Sequence, residues 1–247
     1  MTSWAELRAE LAAWRDAGRA PDLWWRDDDA TVSSAALDRL LALSQTSGVP
    51  VALAVVSLSV EPEVTRKARC VLMHGCDHCN RAAPGEKKTE FSAAESDDAA
   101  LDRLAAARER LSRLAGERFI AALVPPWNRL KASLVPRLGA IGILGLSRYG
   151  AREARERSIR EVNTHVDVIA WAGSRGFVGE EAALGLLLAH LAARRRGAAD
   201  AGEPTGLLTH HAVLDGEAWR FIARLFEETR RHGAAWAEPA QVFASAR

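Results

Sequence analysis

Residues 71–80 read Val-Leu-Met-His-Gly-Cys-Asp-His-Cys-Asn, an apolar run followed by two histidines, two cysteines and an aspartate. The apolar part, Val71 to Met73, predicts the end of a short buried strand. A strand end holds reactive side chains more firmly than a free loop does. His74 and His78 stand four positions apart directly after it. The stretch therefore predicts that these two histidines bind a divalent metal, with a third ligand from elsewhere in the chain.

Working outward, helical and strand-like patterns alternate on both sides of this stretch. The clearest buried strand is 49–56, which is rich in β-branched residues and uncharged, and 119–124 predicts another. Residues 97–115 predict an amphipathic helix with leucines on one face, and Ser3 with Glu6 predicts a capping box for a first helix. Further along, 81–96 predict a surface loop, 130–138 a helix, 141–146 a strand and 147–160 a loop or weak helix. Strands alternating with helices indicate parallel βαβ units. Seven or eight such units favour a β/α barrel over an open sheet, and we expect one domain spanning residues 1–247.

The composition is that of an ordinary soluble protein with a full core. Of 247 residues, 48% are apolar and 26% are charged, and the net charge is +1, so nothing indicates a nucleic-acid surface. Three cysteines do not suggest a disulfide framework. The first residues lack a signal-peptide pattern, and no apolar run approaches the roughly 18 residues of a membrane span. We expect a cytoplasmic protein that binds neither nucleic acid nor membranes; its oligomeric state stays open.

Other reactive groups also follow predicted strands. Asp27–Asp29 come after 23–26, Pro125–Asn128 after 119–124, and His210 after 206–209; Asp167 ends the predicted strand 161–167. All of these fall at carboxyl ends of strands, where β/α barrels build their active sites. Solvated polar residues would be scattered over both ends, so this placement predicts a site.

A catalytic zinc needs three protein ligands and an open position, and an aspartate of the first strand could join the two histidines. Adjacent Asp28 and Asp29 point in different directions if extended, so one could ligate the metal while the other acts as base. His210 could protonate the leaving group. Simpler alternatives are a solvated loop or helix cap for the aspartates, and a hydrogen-bonded pair for the histidines.

Taken in order, these motifs resemble the polysaccharide deacetylase (NodB-homology) family of metal-dependent carbohydrate esterases. Residues 26–30, Arg-Asp-Asp-Asp-Ala, resemble its Thr-Phe-Asp-Asp-Gly motif, and 74–78 resemble its His-x-x-x-His motif. Residues 124–128, Val-Pro-Pro-Trp-Asn, are similar to its Arg-Pro-Pro-Tyr-Gly motif, and 207–210 are similar to its fifth motif. The resemblance implies a distorted β/α barrel of about seven parallel strands.

The resemblance also implies roles. Asp28 would be the catalytic base, and Asp29, His74 and His78 the metal ligands. Trp127 would shape the groove and donate its backbone N–H to the oxyanion. His210 would be the general acid. The remaining implied groove and motif residues are Pro126, Asn128, Asp167 and Trp171. The cofactor would be a divalent metal, zinc by preference, and the partner a small-molecule or oligosaccharide substrate that carries an N-acetyl group.

The chain departs from the family pattern at several positions. Val124 stands where the family has an arginine that orients the base, and Arg26 or Arg129 is our hypothesis for its substitute. Ala30 replaces glycine, Gly75 replaces serine or threonine, and His211 replaces aspartate. Chitin-like or peptidoglycan substrates therefore do not follow from the resemblance.

Three hypotheses compete at this point. The first is a metal-dependent hydrolase that removes an acetyl group from an N-acetylated sugar or related amide. The second is a catalytically silent barrel that binds a glycan or a metal, which the missing arginine would favour. The third starts from Cys76 and Cys79, whose spacing suits a thiol redox pair or part of a structural zinc site. Trp127 and Trp171 suit either stacking on a sugar or packing in the core.

Overall fold

The computed structural model describes residues 2–152 and 159–244, so part of the loop or weak helix predicted at 147–160 lies outside the described residues. Its nine described strands pair in parallel in one curled sheet. The strands are β1 (Asp22–Ala30), β2 (Val51–Val55), β3 (Val71–His74), β4 (Phe119–Val124), β5 (Gly145–Leu146), β6 (Arg160–Glu161), β7 (Val166–Asp167), β8 (Thr205–Thr209) and β9 (Ala235–Trp236).

The strand order is β6-β5-β4-β3-β2-β1-β8-β7, with β9 against β1. The two end strands, β6 and β7, belong to one run of chain, residues 160–167. This run borders β5 on one side and β8 on the other. The Thr164 N–H donates to the Arg148 carbonyl (2.9 Å), and the His165 N–H donates to the Gly206 carbonyl (2.7 Å). Counting β6 and β7 as one position and leaving β9 aside, seven strand positions form a distorted α/β barrel, which confirms the predicted fold class.

Helices flank the sheet, and all but the last lie at the predicted places. They are α1 (Trp4–Asp16), α2 (Ala35–Ser47), α3 (Pro62–Lys67), α4 (Asp97–Ala115), α5 (Glu180–Arg196), α6 (Gly216–Arg231) and α7 (Pro239–Phe243). Ser3 and Glu6 form a reciprocal capping box at the start of α1, as their spacing predicts. Among the described residues, none of the helices combines the length and the apolar character needed to cross a membrane.

The sequence placed some boundaries wrongly. β1 continues to Ala30, so the three aspartates lie within the strand rather than after it, because pairing with β2 resumes beyond an irregularity at 27–30. The helix predicted at 130–138 is a 3₁₀ helix, Ala132–Ile141, since Pro136 has no N–H to donate in its interior. The strand predicted at 141–146 shortens to β5, and 161–167 splits into β6 and β7. Helix α7 was not predicted.

Alternation along the strands divides the core into an inner and an outer part. A small cluster of buried residues includes Trp24, Leu72 and Val124, which occupy even-numbered strand positions. The larger cluster packs odd-numbered strand residues such as Trp25, Leu53 and Met73 together with residues of the helices. Arg26, Asp28 and His74 share the parity of the small cluster, so they lie above the apolar filling of the barrel. This placement brings polar groups to the carboxyl end of the barrel interior.

Candidate metal centre and active site

The three predicted metal ligands converge. Asp29 Oδ1 lies 2.9 Å from His74 Nε2 and 3.3 Å from His78 Nε2. One ligand atom from each residue falls within 4.8 Å of the other two. Asp29 has a φ of 69° and His78 a φ of 58°, a left-handed backbone that few non-glycine residues adopt. Both conformations turn the side chain towards a common point.

The donor set fits a divalent cation. His74 Nδ1 lies 3.0 Å from the carbonyl oxygen of Val124, which can only accept, so the neutral ring keeps its proton on Nδ1. Its Nε2 lone pair therefore faces Asp29, whose Oδ1 is buried without a hydrogen-bond partner among the described residues. Burial lowers the pKa of His74, but the charges of Asp28 and Asp29 outweigh it and raise the pKa. The cluster thus attracts positive charge.

Glu90 holds the loop that carries the two histidines, and sequence reasoning missed it. Its side chain is fully buried, and Oε1 accepts from the backbone N–H groups of Cys76 (2.9 Å) and Asp77 (3.2 Å). Gly75 has a φ of 59°, and a Cβ there would lie 2.0 Å from Glu90 Oε2. Glu90 belongs to a polar stretch that predicts only a surface loop, so the local sequence carried no signal of this role.

Arg26 grips Asp28 with both arms of its guanidinium. Nε lies 2.8 Å from Oδ1 and Nη2 lies 3.0 Å from Oδ2, and the two side chains are 0% and 3% exposed. Nη1 donates to Ser147 Oγ (2.6 Å), and Nη2 also reaches Asn128 Oδ1 (3.3 Å). The positions 26 and 28 share one face of β1, which makes the pair geometrically natural. A guanidinium group thus contacts Asp28 although Val124 stands where the family has an arginine.

Trp127 packs against His78, one of the predicted metal ligands. Its ring centroid lies 4.5 Å from that of His78. Trp127 and Asn128 have φ values of 55° and 56°, so four of the five non-glycine residues with positive φ in the described ranges lie at this site. Strained backbone of this kind concentrates at functional sites. Pro126 is buried and would touch a side chain at position 75.

His210 directly follows β8 and contacts Trp171. The ring of Trp171 meets it edge-on at 4.7 Å, and Trp171 Nε1 donates to Asp167 Oδ2 (2.8 Å). Nδ1 of His210 is buried and has no hydrogen-bond partner among the residues described. Burial raises the pKa of Asp29, but its close contacts with His74 and His78 and the charge of His210 outweigh it and lower the pKa. His210 therefore lies close enough to Asp29 to affect the pKa of its carboxyl group.

A second pair, Asp27 and His211, lies on the outer face of β1 and β8. Asp27 Oδ1 lies 2.5 Å from His211 Nδ1, and Oδ2 accepts from the hydroxyl of Thr209 (2.6 Å) and from the His211 N–H (2.9 Å). Burial lowers the pKa of His211, while the hydrogen bond and charge of Asp27 outweigh it and raise the pKa. The pair ties the two strands that carry Asp28 and His210.

Some predicted residues do not join the centre. Arg129 donates to the Lys88 carbonyl (2.8 Å) rather than to Asp28, so only Arg26 of the two candidate orienters contacts Asp28. Cys76 is buried and Cys79 is exposed, and both are free thiols. Burial raises the pKa of Cys76, which keeps it protonated. Neither cysteine belongs to a potential metal-binding group within the described part of the chain.

A second buried cluster, at the opposite end of the barrel, contains residue types that bind metals, but its hydrogen bonds place a proton on a nitrogen that a metal would need. His165, His190 and Glu203 offer atoms within 4.8 Å of one another. The Gly206 N–H donates to His165 Nδ1 (3.0 Å), so a neutral His165 carries its proton on Nε2, the atom that a metal would need. The His165 and His190 rings also stack in parallel at 3.4 Å. We interpret this cluster as packing.

Comparison with known proteins gives matches at the level of structure. No family model matches the chain, and no curated protein sequence matches it. A putative polysaccharide deacetylase from Mycobacterium smegmatis is 18% identical with a TM-score of 0.64, over 91% of this chain and 89% of that one. A family 4 carbohydrate esterase from Streptomyces lividans, in complex with acetate, is 14% identical with a TM-score of 0.58, over 92% and 97%.

A chitin deacetylase from the fungal pathogen Colletotrichum lindemuthianum is similar to the same extent. It is 14% identical with a TM-score of 0.57, over 92% of this chain and 89% of that one. Identities this low concern the fold rather than the reaction. The chain has the fold of the polysaccharide deacetylases, as the motifs at residues 26–30 and 74–78 predicted.

Proposed function

We propose that this protein is a metal-dependent hydrolase that removes an acetyl or other small acyl group from an N-acylated sugar or related amide. The observation that carries the proposal is the meeting of Asp29, His74 and His78 beside Asp28, whose carboxylate is gripped by a buried guanidinium. The solved structures that share the fold are named as deacetylases or carbohydrate esterases, which supports the same class of reaction here.

Asp29, His74 and His78 would hold the cation. A carboxylate with two neutral imidazoles is a zinc-type donor set that leaves a position open, so zinc is our choice of metal. When bound, the cation lowers the pKa of a water and polarises the acyl carbonyl. The Val124 carbonyl fixes the ring of His74 through Nδ1, which is the usual way in which a ligating histidine is oriented.

Asp28 would act as the general base. It accepts the proton of the attacking water, and Arg26 holds both carboxylate oxygens in place while it does so. Arg26 is therefore the positioning residue that replaces the arginine expected at Val124.

The remaining steps would fall to residues that follow β4 and β8. The backbone N–H of Trp127 would donate to the developing oxyanion, and its ring, with Pro126 and Asn128, would shape the groove. His210 would give a proton to the departing amine, oriented by its contact with the Trp171 ring. A sugar ring placed over Trp127 or Trp171 would find an apolar face to stack on.

The test is the Asp28→Asn variant. It keeps the shape of the side chain and removes the proton-accepting charge, so acetate release from a panel of N-acetylated sugars should fall by about 100-fold or more. Elemental analysis should find the metal content unchanged. Full activity in this variant would reject the assigned role, and loss of metal would mean that Asp28 belongs to the ligand set.

A catalytically silent barrel was the principal rival, and the missing arginine was its support. Arg26 removes that support, because a guanidinium contacts both oxygens of Asp28. The enzyme is therefore the better interpretation. Acetate release that depends on added zinc and is lost in His78→Ala would distinguish the two directly.

A further inference from the structure

Three cations near the candidate site have no acidic partner. They are Lys87, Lys88 and Arg129, and no carboxylate of the described residues pairs with any of them. Their cationic neighbours behave differently: Arg81 pairs with Asp77, and Lys131 pairs with Asp97. The chain carries nearly balanced charge, with 33 basic and 32 acidic residues, so it has no general excess of cations.

Arg129 ties this group to the groove. It follows Asn128, whose Oδ1 lies 3.3 Å from the guanidinium that holds Asp28. It stands two positions after Trp127, whose ring contacts His78. Its Nη1 donates to the backbone carbonyl of Lys88 (2.8 Å), which draws the loop after β3 towards the loop after β4. The Arg129 side chain and the Lys88 backbone therefore lie beside the turn that carries Trp127 and Asn128.

The loop that carries the lysines is held in place by its own hydrogen bonds. Asn80 Oδ1 accepts from the N–H groups of Ala82 (3.2 Å) and Thr89 (3.0 Å), and the Arg81 N–H donates to the Thr89 carbonyl (2.8 Å). Glu86 accepts from the Ala83 N–H (3.2 Å). A loop fixed before binding loses less conformational entropy when a ligand arrives. Both lysines therefore belong to a loop whose backbone is already held by hydrogen bonds before a ligand binds.

We propose that Lys87, Lys88 and Arg129 form an anion-binding subsite, so that the substrate is an acidic glycan with a carboxylate or phosphate near the N-acyl group. This inference rests on the proposed function, since it names the substrate class of the same groove. A forked guanidinium flanked by two flexible ammonium groups suits either anion. The subsite would position the glycan across the groove, while Asp28 and His210 act on the amide.

The experiment measures binding by titration calorimetry to the zinc-loaded Asp28→Asn protein. The carboxylate probe is a disaccharide of glucuronate and N-acetylglucosamine, and its methyl ester is the neutral match. N-acetylglucosamine 6-phosphate, matched with N-acetylglucosamine, is the phosphate probe. At low salt the better anionic probe should bind about tenfold more tightly than its neutral match, and added salt should shrink this ratio.

Variants identify the residues responsible. The ratio should fall to about one in the double variant Lys87→Gln, Lys88→Gln, whose side chains support no described contact. Arg129→Lys keeps the charge but changes the bond to the Lys88 carbonyl, so it should retain part of the preference. Arg113→Gln, on the exposed face of α4, is the matched control and should leave the ratio unchanged.

The outcomes separate the two proposals. Equal affinity for each anion and its neutral match, or a preference that survives in the double lysine variant, overturns the anion subsite. If the wild-type protein still releases acetate from the neutral probes and Asp28→Asn does not, the proposed function stands without the subsite. A tenfold preference lost with the lysines supports the subsite even where neither probe is hydrolysed.

Discussion

At the scale of single residues, Arg26 joins stability and reactivity in one contact. Its guanidinium is fully buried, and so is nearly all of Asp28. Removing one partner of such a pair leaves an unpaired buried charge, which typically costs about 3–5 kcal/mol. An effect on turnover therefore has to be separated from an effect on folding, and a conservative substitution does so.

We expect Arg26→Lys to lower kcat by about 100-fold with the zinc content unchanged. Lysine keeps the positive charge but cannot hold both carboxylate oxygens in one plane, so Asp28 loses its fixed orientation. Acetate release and elemental analysis of the folded variant measure the two quantities. Unchanged turnover would show that Arg26 does not position the base.

The matched variant is Arg129→Lys, which makes the same chemical change in the other candidate orienter. Arg129 bonds to a backbone carbonyl and not to Asp28, so its replacement should affect kcat far less than Arg26→Lys does. Equal losses of kcat in the two variants would contradict this distinction.

At the scale of elements, the loop after β3 works because a glycine and a glutamate fit against each other. Gly75 leaves the space that Glu90 Oε2 fills, and Glu90 in turn accepts from the next two backbone N–H groups. Arg103 on α4 also donates to Glu90 (3.2 Å). The position of His78 thus depends on a residue twelve positions later and on a distant helix.

Gly75→Ala should destabilise the protein by about 2–4 kcal/mol, since the new Cβ combines a left-handed backbone with a collision. Gly85→Ala is the control: Gly85 has a φ of 86° but open space, so only the backbone cost of about 1 kcal/mol applies. Denaturant unfolding of both variants measures the difference. Equal destabilisation would mean that Glu90 moves aside without cost.

At the scale of the whole molecule, a bound cation would cross-link β1 with the loop after β3. A ligand that binds only the native state stabilises it by about 2.7 kcal/mol when its concentration is 100 times the Kd. The metal should therefore contribute to the stability of the barrel as well as to its chemistry.

Zinc should raise the thermal unfolding midpoint of the wild-type protein and leave that of His78→Ala nearly unchanged. Chelation should reverse the increase in the wild type. Differential scanning fluorimetry with and without zinc provides the measurement. An equal increase in both proteins would place the stabilising ion elsewhere.

Acid should weaken the fold through His190. Burial, with the charges of His165 and Arg194, lowers its pKa to about 3, against 6.5 for an unperturbed side chain. Between these values the unfolded chain binds a proton that the folded chain excludes, so stability falls as the pH falls, by about 1.4 kcal/mol per pH unit. The metal-free protein, unfolded by denaturant at pH 6 and at pH 4, should show this slope, and His190→Gln should reduce it. An unchanged slope in the variant would assign the acid sensitivity to other groups.

Much of this architecture could be predicted from the sequence because the relevant signals are local. The periodicity of α4 and the apolar run of β2 each lie within one window of the chain, and so does the spacing of His74 and His78. The sequence left two candidates, Arg26 and Arg129, for the arginine that contacts Asp28. Which of them does so depends on which side chain is buried inside the barrel, and this is decided only by the fold. Glu90 and the pairing of Asp27 with His211 could not be predicted, because each contact joins residues whose proximity only the folded chain creates.

The segment 160–167 acts as a seam. Its strands β6 and β7 are two residues long, whereas β1 extends over nine. The strand pairing that closes the barrel is therefore much shorter at this segment than at β1. Asp29 and His74, which would bind the cation, lie on the longer strands β1 and β3, whereas Trp171 comes shortly after the short strand β7. Loosening the seam would change the surroundings of His210 and leave Asp29, His74 and His78 in place. Under the proposed function, substitutions in the seam should therefore alter the range of substrates without loss of the metal.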